Sequence, residues 1–80
     1  EIVKDKISLE SIDSDELTEK VSSLFNDAEK NMLDGVKFTW DGRWVHLRKS
    51  NTEPIMRIYA EGRNKQDAQK LIDNVRFCIK

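Results

Sequence analysis

The sequence predicts an α+β fold, a two-layer sandwich in which an antiparallel sheet carries two helices on one face, in the order β-α-β-β-β-α. Three observations predict it. Two stretches, residues 13–32 and 64–79, hold apolar side chains at helical spacing. Between them, residues 36–61 alternate apolar and polar positions in three short runs divided by turn residues. The connections between those runs are short, which makes the strands antiparallel neighbours. Two amphipathic helices each need an apolar surface, and a sheet with one apolar face supplies it.

Each element has its own reason. Residues 2–9, IVKDKISL, form a short mixed strand. Asp13 is a helix N-cap with Glu16 at capping-box distance. Leu17, Val21, Leu24, Phe25, Ala28 and Met32 then make one apolar stripe, and Gly35 ends that helix. Val36, Phe38 and Trp40 alternate with Lys37 and Thr39. Asp41-Gly42 is a two-residue hairpin turn, because both central positions of a type I′ turn need positive φ. The returning strand, 43–48, puts Val45 and Leu47 on one face and Trp44, His46 and Arg48 on the other. Lys49 to Pro54 is a loop. In the last strand, 55–61, Met56, Ile58 and Ala60 share one face, and Arg57 and Tyr59 the other. Gly62 breaks it, and Asn64 caps a helix with the stripe Ala68, Leu71, Ile72, Val75 and Ile79.

The 80 residues suffice for a single domain, 1–80, with one compact core. With 38% apolar and 36% charged residues the chain is too apolar and too evenly charged to be disordered. No run of 18 apolar residues and no signal pattern is present, so no membrane partner is expected. The single cysteine, Cys78, fits a reducing, cytoplasmic compartment. A first residue of Glu1 rather than Met reads as an excised fragment or a trimmed product. Charge is uneven: residues 1–35 carry four Lys/Arg against ten Asp/Glu, and residues 36–80 carry ten against five. That pattern argues against a uniformly basic nucleic-acid binder and for a local anion site in the second half.

The segment Arg48-Lys49-Ser50-Asn51-Thr52-Glu53-Pro54-Ile55-Met56-Arg57 has the chemistry for such a site. A phosphate-holding loop needs guanidinium groups that fork onto two oxygens. It also needs hydroxyl or amide donors, and exposed backbone N–H groups. If the flanking strands pair, Arg48 and Arg57 both approach the loop's mouth. Pro54 stiffens its exit, lowering the entropy lost on ordering. The competing reading is a polar loop in which Ser, Asn and Thr cap their own backbone.

The pattern R-x-S-N-T-E-P-x-x-R, with Ile58-Tyr59-Ala60-Glu61 after it, resembles the phosphate-binding loop of the α-D-phosphohexomutases, such as phosphoglucomutase and phosphomannomutase. Asp34-Gly35-Val36-Lys37-Phe38 and Asp41-Gly42-Arg43-Trp44-Val45-His46-Leu47 also resemble the fourth, C-terminal domain of that family. The resemblance covers residues 34–61 strongly and the flanking helices weakly. It implies a fold usually compared with one half of the TATA-box-binding protein, which does not imply DNA binding. It implies a four-domain parent enzyme in which a phosphoserine, supported by magnesium, interconverts hexose 1- and 6-phosphates through a bisphosphate. The fourth domain closes over the substrate and grips the phosphate that is not being transferred. By motif match Arg48, Ser50, Asn51 and Thr52 would form the grip, with Arg57 a second cation. Glu53 would face solvent or a neighbouring cation. Asn51 resembles the glucose and mannose enzymes, where glucosamine relatives more often carry Gly. The implied partners are a phosphosugar and the other three domains of the same chain. The serine-nucleophile, metal and sugar loops of those domains are not in this sequence, so the fragment itself is expected to hold no cofactor and to be inactive.

Other residues carry blander expectations. His46 reads as a strand-surface or loop-supporting residue, since no nucleophile or metal-ligand cluster accompanies it. Trp40, Trp44 and Tyr59 read as sheet packing, with a base-stacking platform as the alternative. Cys78 reads as a small buried hydrophobe. Two other functions stay open on the residues alone: an RNA-binding α+β module, and an interaction domain whose arginine loop takes a partner's carboxylate.

Overall fold

A computed structural model of the chain describes residues 2–10 and 12–79. The elements are β1 (Ile2–Ser8), α1 (Ser14–Leu24), β2 (Glu29–Asn31), β3 (Val36–Trp40), β4 (Arg43–Lys49), β5 (Ile55–Glu61) and α2 (Lys65–Phe77). The five strands form one sheet in the order β1-β5-β4-β3-β2, antiparallel throughout.

One face of the sheet is apolar. Val36 lies opposite Leu47, Phe38 opposite Val45, Leu47 opposite Ile58 and Val45 opposite Ala60, and all are buried. Leu17, Val21 and Phe25 of the first helical segment and Ala68, Leu71, Ile72 and Val75 of α2 join the same core. Fully burying side chains of this size contributes about 1.5–3 kcal/mol each, so the core fixes the strand register. The predicted α+β class, an antiparallel sheet with two helices, and the alternation of β3, β4 and β5 are thus observed. Asp13 caps α1 by accepting from the Asp15 amide, and Asn64 caps α2 by accepting from the Asp67 amide at 2.8 Å.

The first helix is shorter than its apolar stripe predicts, and the sheet has one strand more. The helix ends at Leu24, and Phe25 leaves helical geometry at φ −102°, ψ 41°. Asn26 and Asp27, both turn formers, follow there. Residues 29–31 instead pair with β3, Glu29 opposite Thr39 and Asn31 opposite Lys37. Pairing satisfies backbone groups of β3 that a longer helix would leave open at that edge. Met32 is consequently exposed, and Leu33 is 93% exposed in the turn after β2. Ile79 lies past the end of α2 and is also exposed.

The end of the sheet at the Asp41-Gly42 turn is fully compensated. Arg43 forks onto Asp67, Nε donating to Oδ2 and Nη2 meeting Oδ1, both at 3.0 Å. The same guanidinium lies 5.5 Å from the Trp40 ring, which packs edge-on against Phe25 at 4.9 Å. The Arg63 amide donates to Asp67 Oδ2, and chiefly this bond, with Arg43, lowers the Asp67 pKa against the opposing effect of burial. Cys78 is half-buried, and burial raises its thiol pKa.

Two glycines have positive φ, Gly35 at +67° and Gly42 at +77°, whereas Asp41 does not, so the Asp41-Gly42 turn forms without the type I′ geometry that the sequence predicts. A Cβ on Gly35 would sit 2.3 Å from the Leu47 carbonyl oxygen, whereas one on Gly42 would meet nothing within 4 Å. Urea unfolding should therefore show Gly42→Ala losing about 1–2 kcal/mol, the left-handed strain alone, and Gly35→Ala losing more. An equal or smaller loss at Gly35 would contradict the close approach. The lowered Asp67 pKa means that its contribution to stability is present above the unfolded carboxylate pKa and is lost as pH falls through the folded one. Below about pH 4, the wild-type chain should lose stability more steeply than Asp67→Asn in acid-titrated urea melts.

Candidate functional site

The β4–β5 ladder places Arg48 directly opposite Arg57. Their neighbours Leu47, Ile58 and Met56 point to the helices, so the period of two sends both arginines to the open face, where both are exposed. Lys6 of β1 lies opposite Arg57 on its other side. Three cations thus stand abreast at one end of the open face, and like charges directly opposite each other destabilise a sheet. Among the described residues Arg48 has one anionic neighbour, Asp34, with Nε 3.6 Å from Oδ1. Arg57 makes no ion pair or hydrogen bond of its side chain among the described residues.

The loop 50–54 closes this end. Arg48, Lys49, Ser50, Asn51, Thr52, Arg57 and Tyr59 line a concavity of about 300 Å³. The Ser50 amide donates to the Ile55 carbonyl at 3.0 Å, and the Pro54 carbonyl accepts from the Leu9 amide at 2.7 Å, which ties the loop to β5 and to the residue that follows β1. Ser50 Oγ accepts from the amides of Thr52 and Glu53, both at 3.3 Å, and lies 3.4 Å from Thr52 Oγ1. These contacts are long for hydrogen bonds. The loop therefore does cap its own backbone through Ser50, as the competing reading holds. Asn51 makes no hydrogen bond among the described residues, and the Glu53 side chain is exposed.

All five motif residues, Arg48, Ser50, Asn51, Thr52 and Arg57, thus border one concavity. Lys49 and Tyr59 line it too, and two residues outside its lining, Lys6 and Asp34, lie next to its arginines. Lys6 comes from a strand far away in sequence, and only register could reveal it. Tyr59 shares Arg57's face, which the alternation already signals. Asp34 reaches Arg48 from the turn between β2 and β3. His46 supports that turn, its Nε2 bonded to the Asp34 carbonyl, and its ring lies 6.3 Å from Tyr59. Trp44 donates from Nε1 to Glu61 Oε1 at 3.0 Å and carries Lys37 Nζ 4.8 Å from its ring. Trp40 faces the core, so the aromatics do not share one platform.

Among the described residues no group of His, Cys, Asp and Glu could hold a metal ion. No helix among them is long and apolar enough to cross a membrane.

The uncompensated cations predict an unusual stability response. Arg57→Thr should raise stability by a few tenths to about 1 kcal/mol at low ionic strength, and the gain should shrink as salt screens the row. Urea melts at two salt concentrations measure this, and a loss at both would show that the row is already compensated.

A family model described as phosphoglucomutase/phosphomannomutase, C-terminal domain, matches residues 10–76. The chain is 31% identical over 80-odd residues to the phosphoglucosamine/phosphogalactosamine mutase of Sulfurisphaera tokodaii, covering 98% of this chain and 18% of that protein. It is 40% identical over 47 residues to the phosphoglucosamine mutase of Methanococcus aeolicus, covering 59% of this chain and 10% of that protein. It is 29% identical over 63 residues to the phosphomannomutase of Methanocaldococcus jannaschii, covering 79% and 14%. The chain therefore spans less than a fifth of the length of these relatives. Because the family model matches most of its length, the chain belongs to the C-terminal domain family of the phosphoglucomutases and phosphomannomutases.

Proposed function

We propose that the β4–β5 loop grips the non-reacting phosphate of a hexose phosphate, as the lid domain of a phosphohexomutase. The cross-strand Arg48–Arg57 pair at the loop's mouth carries this reading, because two guanidinium groups held side by side invite a dianion. Ser50, Asn51 and Thr52 supply the remaining donors. The long Ser50 contacts are ones that a charged oxygen would replace with shorter bonds.

The reaction proposed for the parent enzyme transfers phosphate between a serine and a sugar monophosphate through a bisphosphate, with magnesium supporting the transfer. This domain contributes no reacting group. Its residues bind the distal phosphate, and that binding energy orients the reacting end. Closure brings the cations and excludes water, which strengthens each contact. Because either end of the bisphosphate must be accepted in turn, the grip reads phosphate closely and sugar loosely. The relatives are named for amino and for neutral hexose phosphates, and a grip on the phosphate alone suits both as one substrate class.

Each charge-assisted contact contributes about 1.5–3 kcal/mol, so the isolated chain should bind inorganic phosphate with a Kd of roughly high micromolar to millimolar. An NMR titration should shift the amides of Ser50 to Thr52, and Arg48→Ala should abolish those shifts. No shift in the wild type would refute the grip. In a full-length mutase carrying this domain, replacing Arg48 and Ser50 together by Ala should lower kcat/KM strongly with the fold intact, and unchanged kinetics would do the same.

A further inference from the structure

The turn that joins β2 to β3 is fastened to the end of β4 on more than one side. Gly35 lies so close to β4 that a Cβ there would meet the Leu47 carbonyl oxygen at 2.3 Å, His46 Nε2 at 3.3 Å and the Arg48 Cα at 3.3 Å. His46 Nε2 bonds to the Asp34 carbonyl. Within the turn, Asn31 Oδ1 accepts from the Leu33 amide at 2.9 Å. The backbone of Asp34 is therefore set by its surroundings although its side chain is 66% exposed. That side chain approaches Arg48 at Nε. The terminal Nη1 and Nη2 of Arg48 have no partner among the described residues.

We infer that Asp34 is a positioning residue: it holds the Arg48 guanidinium by its Nε edge and so presents the two terminal nitrogens to the anion in the loop. An arginine has many rotamers, and a guanidinium oriented beforehand loses less freedom when it binds. Asp34 also partly neutralises Arg48 against Arg57 while the loop is empty. His46 acts one step further back, through the Asp34 backbone. The inference rests on the phosphate-grip reading and deepens it, since it names what aims the first cation.

The test uses the 80-residue chain, inorganic phosphate as the probe and NMR detection of both the loop amides and the Arg48 Nε–H. Asp34→Asn keeps the side chain's shape and removes its charge. It should leave the melting temperature essentially unchanged, move the Arg48 Nε–H resonance before any phosphate is added, and weaken phosphate binding about two- to fivefold, the range expected from an exposed ion pair. Asp34→Glu should restore most of the affinity, which a merely structural turn residue would not do. Unchanged affinity in Asp34→Asn would overturn the inference, and so would tighter binding, which would make Asp34 a competing anion instead. Either result with wild-type shifts at Ser50 to Thr52 intact leaves the grip standing. Absence of those shifts in the wild type refutes the grip and the positioning role together.

Discussion

The register between β4 and β5 is the constraint on which the site depends. Val45 and Leu47 must face the helices to be buried against Ala60 and Ile58. With those four fixed, a strand's period of two leaves Arg48 and Arg57 no choice of side. Slipping one strand by a residue would expose the core face and send an arginine into it, so hydrophobic burial enforces the juxtaposition of two like charges. The energy that brings the cations together comes from side chains on the opposite face of the sheet.

The two ends of the sheet treat charge in opposite ways. At the hairpin end, Arg43 is doubly bonded to Asp67, and Asp67 is bonded again by the backbone of Arg63. At the loop end, Arg48 has one ion-pair partner among the described residues, Asp34 at 3.6 Å, and Arg57 and Lys6 stand beside it in the same row. Both ends share the same fold and solvent, so the difference lies in the side chains placed there. The fold thus neutralises the arginine at one end of the sheet far more completely than those at the other.

Much of this was legible in the sequence because it is periodic or punctuated. Alternation placed every inward residue of β3, β4 and β5, and Asp13, Asn64 and Asp41-Gly42 marked caps and a turn. The loop was legible because its residue types carry one chemistry in ten consecutive positions, and the family resemblance rested on the same run. What stayed hidden was non-local or unpatterned. Glu29, Lys30 and Asn31 are all exposed, so β2 has no apolar alternation to detect, and the helical stripe ran through it as far as Met32. Leu24, Ala28 and Met32 fit the helical spacing, but the chain leaves the helix at Phe25. Lys6 and Asp34 join the site through strand register and a close glycine contact, and neither is visible to spacing along the chain.

The polarity that hid β2 has a use of its own. An open sheet of five strands has two outermost strands, and their free N–H and C=O groups are templates for another molecule's strand. Here one border is a three-residue strand of Glu, Lys and Asn, and the other alternates Lys4, Asp5 and Lys6 along its length. Short length and charge both discourage edge-to-edge polymerisation. Both borders of the sheet are thereby guarded against strand addition by another copy of the chain.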